Sequence, residues 1–229
     1  MIGGMIFETR CAGCNTPGAA VCTTCRFALV GRPPQAAADG VQAATVFTGR
    51  ARDVVLGFKY RNRRQVGRHL AGLVVNRIVA KGDHQRFDVV TWAPTSPARR
   101  RERGFDQGEV VARHVARQLG LPCRRLLDRT SGPTGAQTGR SRSQRLHGVA
   151  FAARPGIDGL RVLVIDDVVT TGATLRAAAA ALSERAVGDV ALYAVAATPS
   201  TVASARRSRG AGRLASVPTG PRVRANAAA

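Results

Sequence analysis

The sequence predicts an α/β protein, a parallel sheet flanked by helices, with a small four-cysteine zinc ribbon in front. Three observations lead there. Residues 162–165 (Val-Leu-Val-Ile) are too few for a helix and apolar throughout, as a strand buried on both faces is. A polar loop follows, and then an alanine-rich helical stretch from Leu175 to about Ala186, which completes half of a βαβ unit. Residues 87–92 (Phe-Asp-Val-Val-Thr-Trp) repeat that order, with a loop and then a helix over about 107–119. At the front, Cys11, Cys14, Cys22 and Cys25 form two C-x-x-C pairs separated by seven residues, the spacing of a tetrahedral sulfur site.

The remaining elements fill in the sheet. Residues 41–47 make a short strand. Residues 52–60 form a helix with Val54, Val55 and Phe58 on one face, and about 66–80 a second with Leu70, Leu73, Val74 and Ile78 together. Residues 189–197 are the last core strand. Cys123, after Leu121-Pro122, reads as a buried core cysteine and not a ligand. The domains expected are a ribbon over 1–30, an α/β domain over 41–198 and a disordered basic tail over 199–229, whose low apolar content cannot form a core. Residues 130–145, rich in Gly, Ser, Thr and Arg, are expected to be a disordered loop.

The totals narrow the partners. Among 229 residues, 35 lysines and arginines face 14 acids, a formal charge of +21, which attracts polyanions or phosphorylated small molecules. No apolar run approaches the roughly 20 residues of a membrane span. The start of the chain lacks a signal-peptide pattern, so a cytoplasmic protein is expected. In a reducing compartment four paired cysteines point to metal before disulfide, and with all four positions filled by protein the zinc is structural.

The chemistry concentrates between Arg161 and Thr174. Asp166 and Asp167 follow the apolar run, and then Thr170, Thr171, Gly172, Ala173 and Thr174 lead into the helix. A loop entering a helix offers free N–H groups and the positive end of the dipole to phosphate. Gly172 allows close approach, and the threonine hydroxyls can donate. The two carboxylates would repel phosphate and so suit sugar hydroxyls or the water around a metal. Phosphate at one end and a diol at the other describe a ribose 5-phosphate. The whole run resembles the phosphoribosyl diphosphate (PRPP) motif of type I phosphoribosyltransferases.

The cysteine pairs, the turn Lys59-Tyr60-Arg61-Asn62-Arg63-Arg64, the block R-E-R-G-F-D-Q at 101–107 and the segment 129–145 extend the likeness. In that order they resemble the ComF family, bacterial phosphoribosyltransferase-like proteins with an N-terminal zinc ribbon, named for DNA uptake. The resemblance implies a PRPP site in which Asp166 and Asp167 meet the ribose hydroxyls and residues 170–174 hold the 5-phosphate, with magnesium bound alongside PRPP. It implies a pyrophosphate loop containing Thr95 and Ser96, with Arg99 and Arg103 following and Lys59 as a further phosphate contact. It also implies that the loop near 130–145 closes over the site, and it brings in a competence helicase as partner. Two departures stand out: A-P-T-S where relatives read P-V-P, and R-G-F-D-Q for R-G-F-N-Q.

Three functions stay open on the sequence: a phosphoribosyltransferase acting on an unknown nitrogen acceptor, a PRPP-binding module without transfer, and a single-stranded DNA or other nucleic-acid binding protein. The residues name no catalytic acid or base and no acceptor pocket.

Overall fold

Strands β1 (Val41–Val46), β2 (Val89–Trp92), β5 (Arg161–Val169) and β6 (Asp189–Ala197) pair in parallel in the order β1-β6-β5-β2. The computed structural model describes residues 8–30, 40–61, 63–130 and 149–199. The loop expected beyond Thr130 and the tail beyond Pro199 lie outside the described residues. A short antiparallel pair, β3 (Leu127–Thr130) with β4 (Ala150–Ala153), stands apart from the sheet.

Alternation decides the layers. Along β5, Leu163 and Ile165 enter one core and Val162 and Val164 the other, because successive strand side chains point to opposite faces. On the first face lie α2 (Gly49–Tyr60), α3 (Gly67–Ala80) and α5 (Gln107–Leu119). On the second lie α6 (Ala173–Ser183) and the β3–β4 pair. Both faces are covered, as an all-parallel sheet requires.

The order of connections creates a crevice. The chain leaves β2 for α5 on the first face. It then returns along the outer edge of β2, where Val90 N–H donates to Pro122 O at 2.9 Å and Arg124 N–H to Val90 O at 3.0 Å. It crosses by β3 and β4 to β5, and leaves β5 for α6 on the second face. Adjacent strands β2 and β5 thus send their helices to opposite faces, and the crevice beyond their carboxyl ends is a topological switch point. Cys123 lies on the edge segment and is half-buried against the first core, not fully within it as the sequence suggests, because among the described residues that outermost segment has a strand neighbour on one side.

Two strand lengths open that crevice. β2 stops where Trp92 pairs with Ile165, and Pro94, which has no N–H, ends the ladder. β5 does not end at Ile165, as the apolar run suggests, but continues through both aspartates to Val169. It can do so because β6 runs on beside it, Asp166 pairing with Ala194 and Val169 with Ala197. The other end of the sheet is tied down. Arg161 pairs with Asp88 at 2.7 Å, Arg86 with Asp189 at 2.7 Å, and Tyr193 Oη donates to Asp83 at 2.7 Å.

The cysteine segment packs into the first core: Cys11, Ala12 and Cys25 are buried with Val54 and Phe58 of α2. Its second pair leads into α1 (Thr23–Val30), a helix that the cysteine spacing does not predict. Helix α4 (Pro97–Arg103) was also unexpected; it is started by Ser96 and Pro97 and stopped by Gly104 at φ 74°.

Candidate functional site

The crevice gathers three carboxylates, a lysine and several arginines. Asp167 Oδ2 lies 3.0 Å from Lys59 Nζ, which reaches over from the last turn of α2. Both side chains are nearly enclosed, at 14% and 13% exposure. Asp166 turns its Oδ1 back to accept from its neighbour, Asp167 N–H, at 2.7 Å. Burial and then repulsion from Asp167 push the Asp166 carboxyl up to about 8, with Lys59 pulling the other way. Part of Asp166 still meets the crevice.

That shift has a stability consequence. The folded chain holds a proton on Asp166 that the unfolded chain releases near pH 4, so stability is fullest below that pH and declines as pH rises toward about 8. Urea midpoints at pH 5 and pH 9 should therefore fall more in wild type than in Asp166→Asn, whose amide does not titrate; equal slopes would refute the assignment.

Next to them the loop enters α6. Gly172 adopts φ 77°, a left-handed conformation that glycine accepts without strain, and as N-cap residue it has no side chain to cap the helix. Ala173 N–H has a long contact to Thr171 Oγ1 at 3.4 Å, and Thr170 and Thr171 are exposed. Helix α5, by contrast, is capped by Asp106 and α4 by Ser96. Beyond the Ala173 N–H, the next N–H groups of the first turn have no side-chain cap among the described residues, and the positive end of the dipole lies where the loop from the two aspartates arrives.

On the β2 side Thr95 N–H donates to Asp106 Oδ2 at 2.9 Å, while Ser96 Oγ accepts from Arg99 N–H. Both residues of the expected pyrophosphate loop are therefore engaged within the protein. Arg99 is exposed and close enough to Arg129 to act on its charge. Arg103 is committed elsewhere, stacking over Tyr60 with its carbon 5.1 Å from the ring centre and donating to Gln107 Oε1 at 3.0 Å. Trp92, Pro94, Thr95, Asp106, Arg100, Arg125 and Arg129 line a cavity of about 270 Å³.

Asp106 and Arg129 are the site residues sequence reasoning missed. Asp106 is 4% exposed, and its burial raises its carboxyl against the N–H groups of Thr95 and Glu109 that stabilise the anion. Arg129 donates to Pro94 O at 3.3 Å and lies over the Phe151 ring; burial weakens its hold on the proton, and Arg99 adds to this. The replacement of Asn by Asp at 106 was the available signal.

Away from the crevice, the sulfurs of Cys11, Cys14, Cys22 and Cys25 lie within 4.8 Å of one another and could hold a metal ion. Cys22 N–H donates to Cys11 Sγ at 3.4 Å, and Thr16 Oγ1 is 3.1 Å from Cys14 Sγ, contacts that favour thiolates.

Residues 106–208 match the family model described as a phosphoribosyl transferase domain. No curated protein matches the chain. Among solved structures, an allosteric regulatory enzyme of purine biosynthesis is 21% identical over 58% of this chain and 26% of its own, with a TM-score of 0.40. The glutamine PRPP amidotransferase of B. subtilis is 22% identical over 62% and 27%, with a TM-score of 0.38. An adenine phosphoribosyltransferase is 13% identical over 66% and 79%, with a TM-score of 0.41. The chain spans about a quarter of the length of the first two. The segment that carries Asp106, both β5 aspartates and the uncapped helix is thus similar to a phosphoribosyl transferase domain, set in a parallel α/β sheet.

Proposed function

We propose that the crevice binds PRPP with magnesium and transfers its phosphoribosyl group to a nitrogen acceptor, releasing diphosphate. One observation carries this: two adjacent carboxylates on β5 lead within five residues to a helix terminus with no N-cap side chain among the described residues, where Thr171 Oγ1 takes only the N–H of Ala173. Asp166 and Asp167 would accept from the ribose hydroxyls, and the N–H groups at 172–174 with the threonine hydroxyls would take the 5-phosphate. Lys59, with Arg99 and Arg129, supplies positive charge for the diphosphate. Magnesium bound with the substrate would neutralise the leaving diphosphate, chemistry for which oxygen donors such as these carboxylates are suited. The protein's own part is positioning and charge stabilisation as positive charge develops at the sugar carbon.

The four thiols suit zinc, since the tetrahedral sulfur set is closed and leaves no position for a substrate. The order of motifs supports a ComF-like protein. The +21 charge favours nucleic acid as a further partner, held through its backbone and weakened by salt.

Calorimetric titration with Mg-PRPP tests the reading, with ribose 5-phosphate as the weaker comparator. Gly172→Val should reduce PRPP affinity by about 5- to 30-fold, because a branched residue at positive φ costs about 1–2 kcal/mol, which the loop relieves by leaving the conformation that takes the phosphate. Absence of heat with folded, zinc-loaded wild type would sink the proposal.

A further inference from the structure

Lys59 and Lys81 are the only lysines in a chain that otherwise uses arginine for positive charge. Lys81 is exposed at the end of α3. Lys59 is nearly enclosed and paired with Asp167 in the crevice. A compact ammonium on a flexible stem fits a narrow gap and can change partners, whereas a planar guanidinium demands a wider, fixed arrangement.

What holds Lys59 there is the cysteine segment. Gly57, two residues before it, faces the first cysteine pair so closely that a Cβ would stand 2.2 Å from Ala12 O. Gly13 is close as well, its added Cβ falling 2.8 Å from the side chains of both Cys25 and Val54 of α2. Just past the helix, Arg63 donates to Cys11 O and, at 2.6 Å, to Asn15 Oδ1. The last turn of α2 is thus gripped from both sides by residues lying between and beside the thiols. The four sulfurs are close enough to be drawn together by one ion, so the shape of that grip depends on whether they are.

We propose that Lys59 is a positioning residue through which the cysteine centre governs the crevice. A metal on the four thiols fixes the end of α2 and keeps the ammonium on Asp167. The lysine then offsets the charge beside Asp166 in the free protein and is passed to an incoming diphosphate. Losing the metal loosens the grip and withdraws Lys59. The handover to diphosphate rests on the proposed phosphoribosyl reading; the link from thiols to lysine does not.

Competitive acetylation with acetic anhydride reads the link directly, since Lys81 is an internal reference in the same digest. In zinc-loaded protein Lys59 should react about tenfold more slowly than Lys81, as a paired, enclosed amine does. In chelator-treated protein that keeps its circular dichroism, Lys59 should approach the rate of Lys81. Arg63→Gln, which retains all four thiols, should raise Lys59 reactivity several-fold with zinc bound. It decides the matter alone if the zinc-free chain unfolds. Equal protection of Lys59 with and without zinc and in Arg63→Gln would overturn the proposal, as would equal reactivity of the two lysines in loaded protein. Mg-PRPP titrated in parallel should bind about tenfold more weakly to the zinc-free chain. Equal affinity alongside altered labelling would overturn control of the crevice. A chain that never binds Mg-PRPP would sink the proposed function and leave the labelling result standing.

Discussion

Asp166→Asn/Asp167→Asn should lose Mg-PRPP binding by about 10²- to 10⁴-fold while remaining folded. In its ionised form each carboxylate would contribute a charge-assisted hydrogen bond, worth roughly 1.5–3 kcal/mol, and two such losses span that range; the free protein holds Asp166 protonated up to about pH 8, so the loss should be fullest at alkaline pH. The substitution preserves shape, so β5 and its pairing with β6 should persist. Asp166→Asn alone should hold or improve melting at neutral pH, since burial and repulsion from Asp167 already disfavour charge there, whereas Asp167→Asn leaves the enclosed Lys59 without its partner and should lower it. Calorimetry beside thermal denaturation separates the two effects. Undiminished affinity in the folded variant would show that the sugar sits elsewhere. Loss of affinity together with loss of fold would show that the carboxylates are structural.

Gly57→Ala should be the most destabilising single methyl in the molecule's first core. An added Cβ at 2.2 Å from Ala12 O meets backbone, which cannot swing aside as a side chain end would. Overpacking costs typically 1–3 kcal/mol, and a backbone clash belongs at the upper end, so about 3 kcal/mol is expected. For a chain of this size that lowers the melting temperature by about 6–12 °C. Gly72→Ala is the control: its Cβ would meet only the end of the Gln118 side chain at 3.9 Å, and helix propensity favours the change. A melting point for Gly57→Ala equal to that of the control would mean that α2 does not press on the cysteine segment.

The parts that the sequence showed are those whose physics is local. A run of four branched apolar residues, two acids and a T-T-G-A-T loop is readable because strand, charge and helix entry follow each other along the chain. The helix over 107–119 and the strand over 189–197 were readable for the same reason. Helix α4 was not, because Pro97–Arg103 is almost all charge and has no apolar period. Its signals were Ser-Pro before it and Gly104 after it. The role of Asp106 depends on α4 folding back so that the Thr95 N–H meets it, which spacing along the chain does not reveal. Nor does spacing show that Gly57 presses on Ala12, 45 positions earlier, or that Arg103, offered as a phosphate contact, is committed to Tyr60 and Gln107.

The unequal lengths of β2 and β5 give the central strand two mechanical regimes. From Val162 to Ile165 it is held by a neighbour on each side and by the ion pair at Arg161, so that half can serve as a fixed reference for distances. From Asp166 to Val169 its one strand neighbour among the described residues is β6, and the far end is held by Val169, buried in the second core and accepting from Thr198 N–H at 3.0 Å. Both carboxylates therefore sit on a span fixed at its two ends and paired along one edge, a bridge open on the side of Thr95 and not a free end.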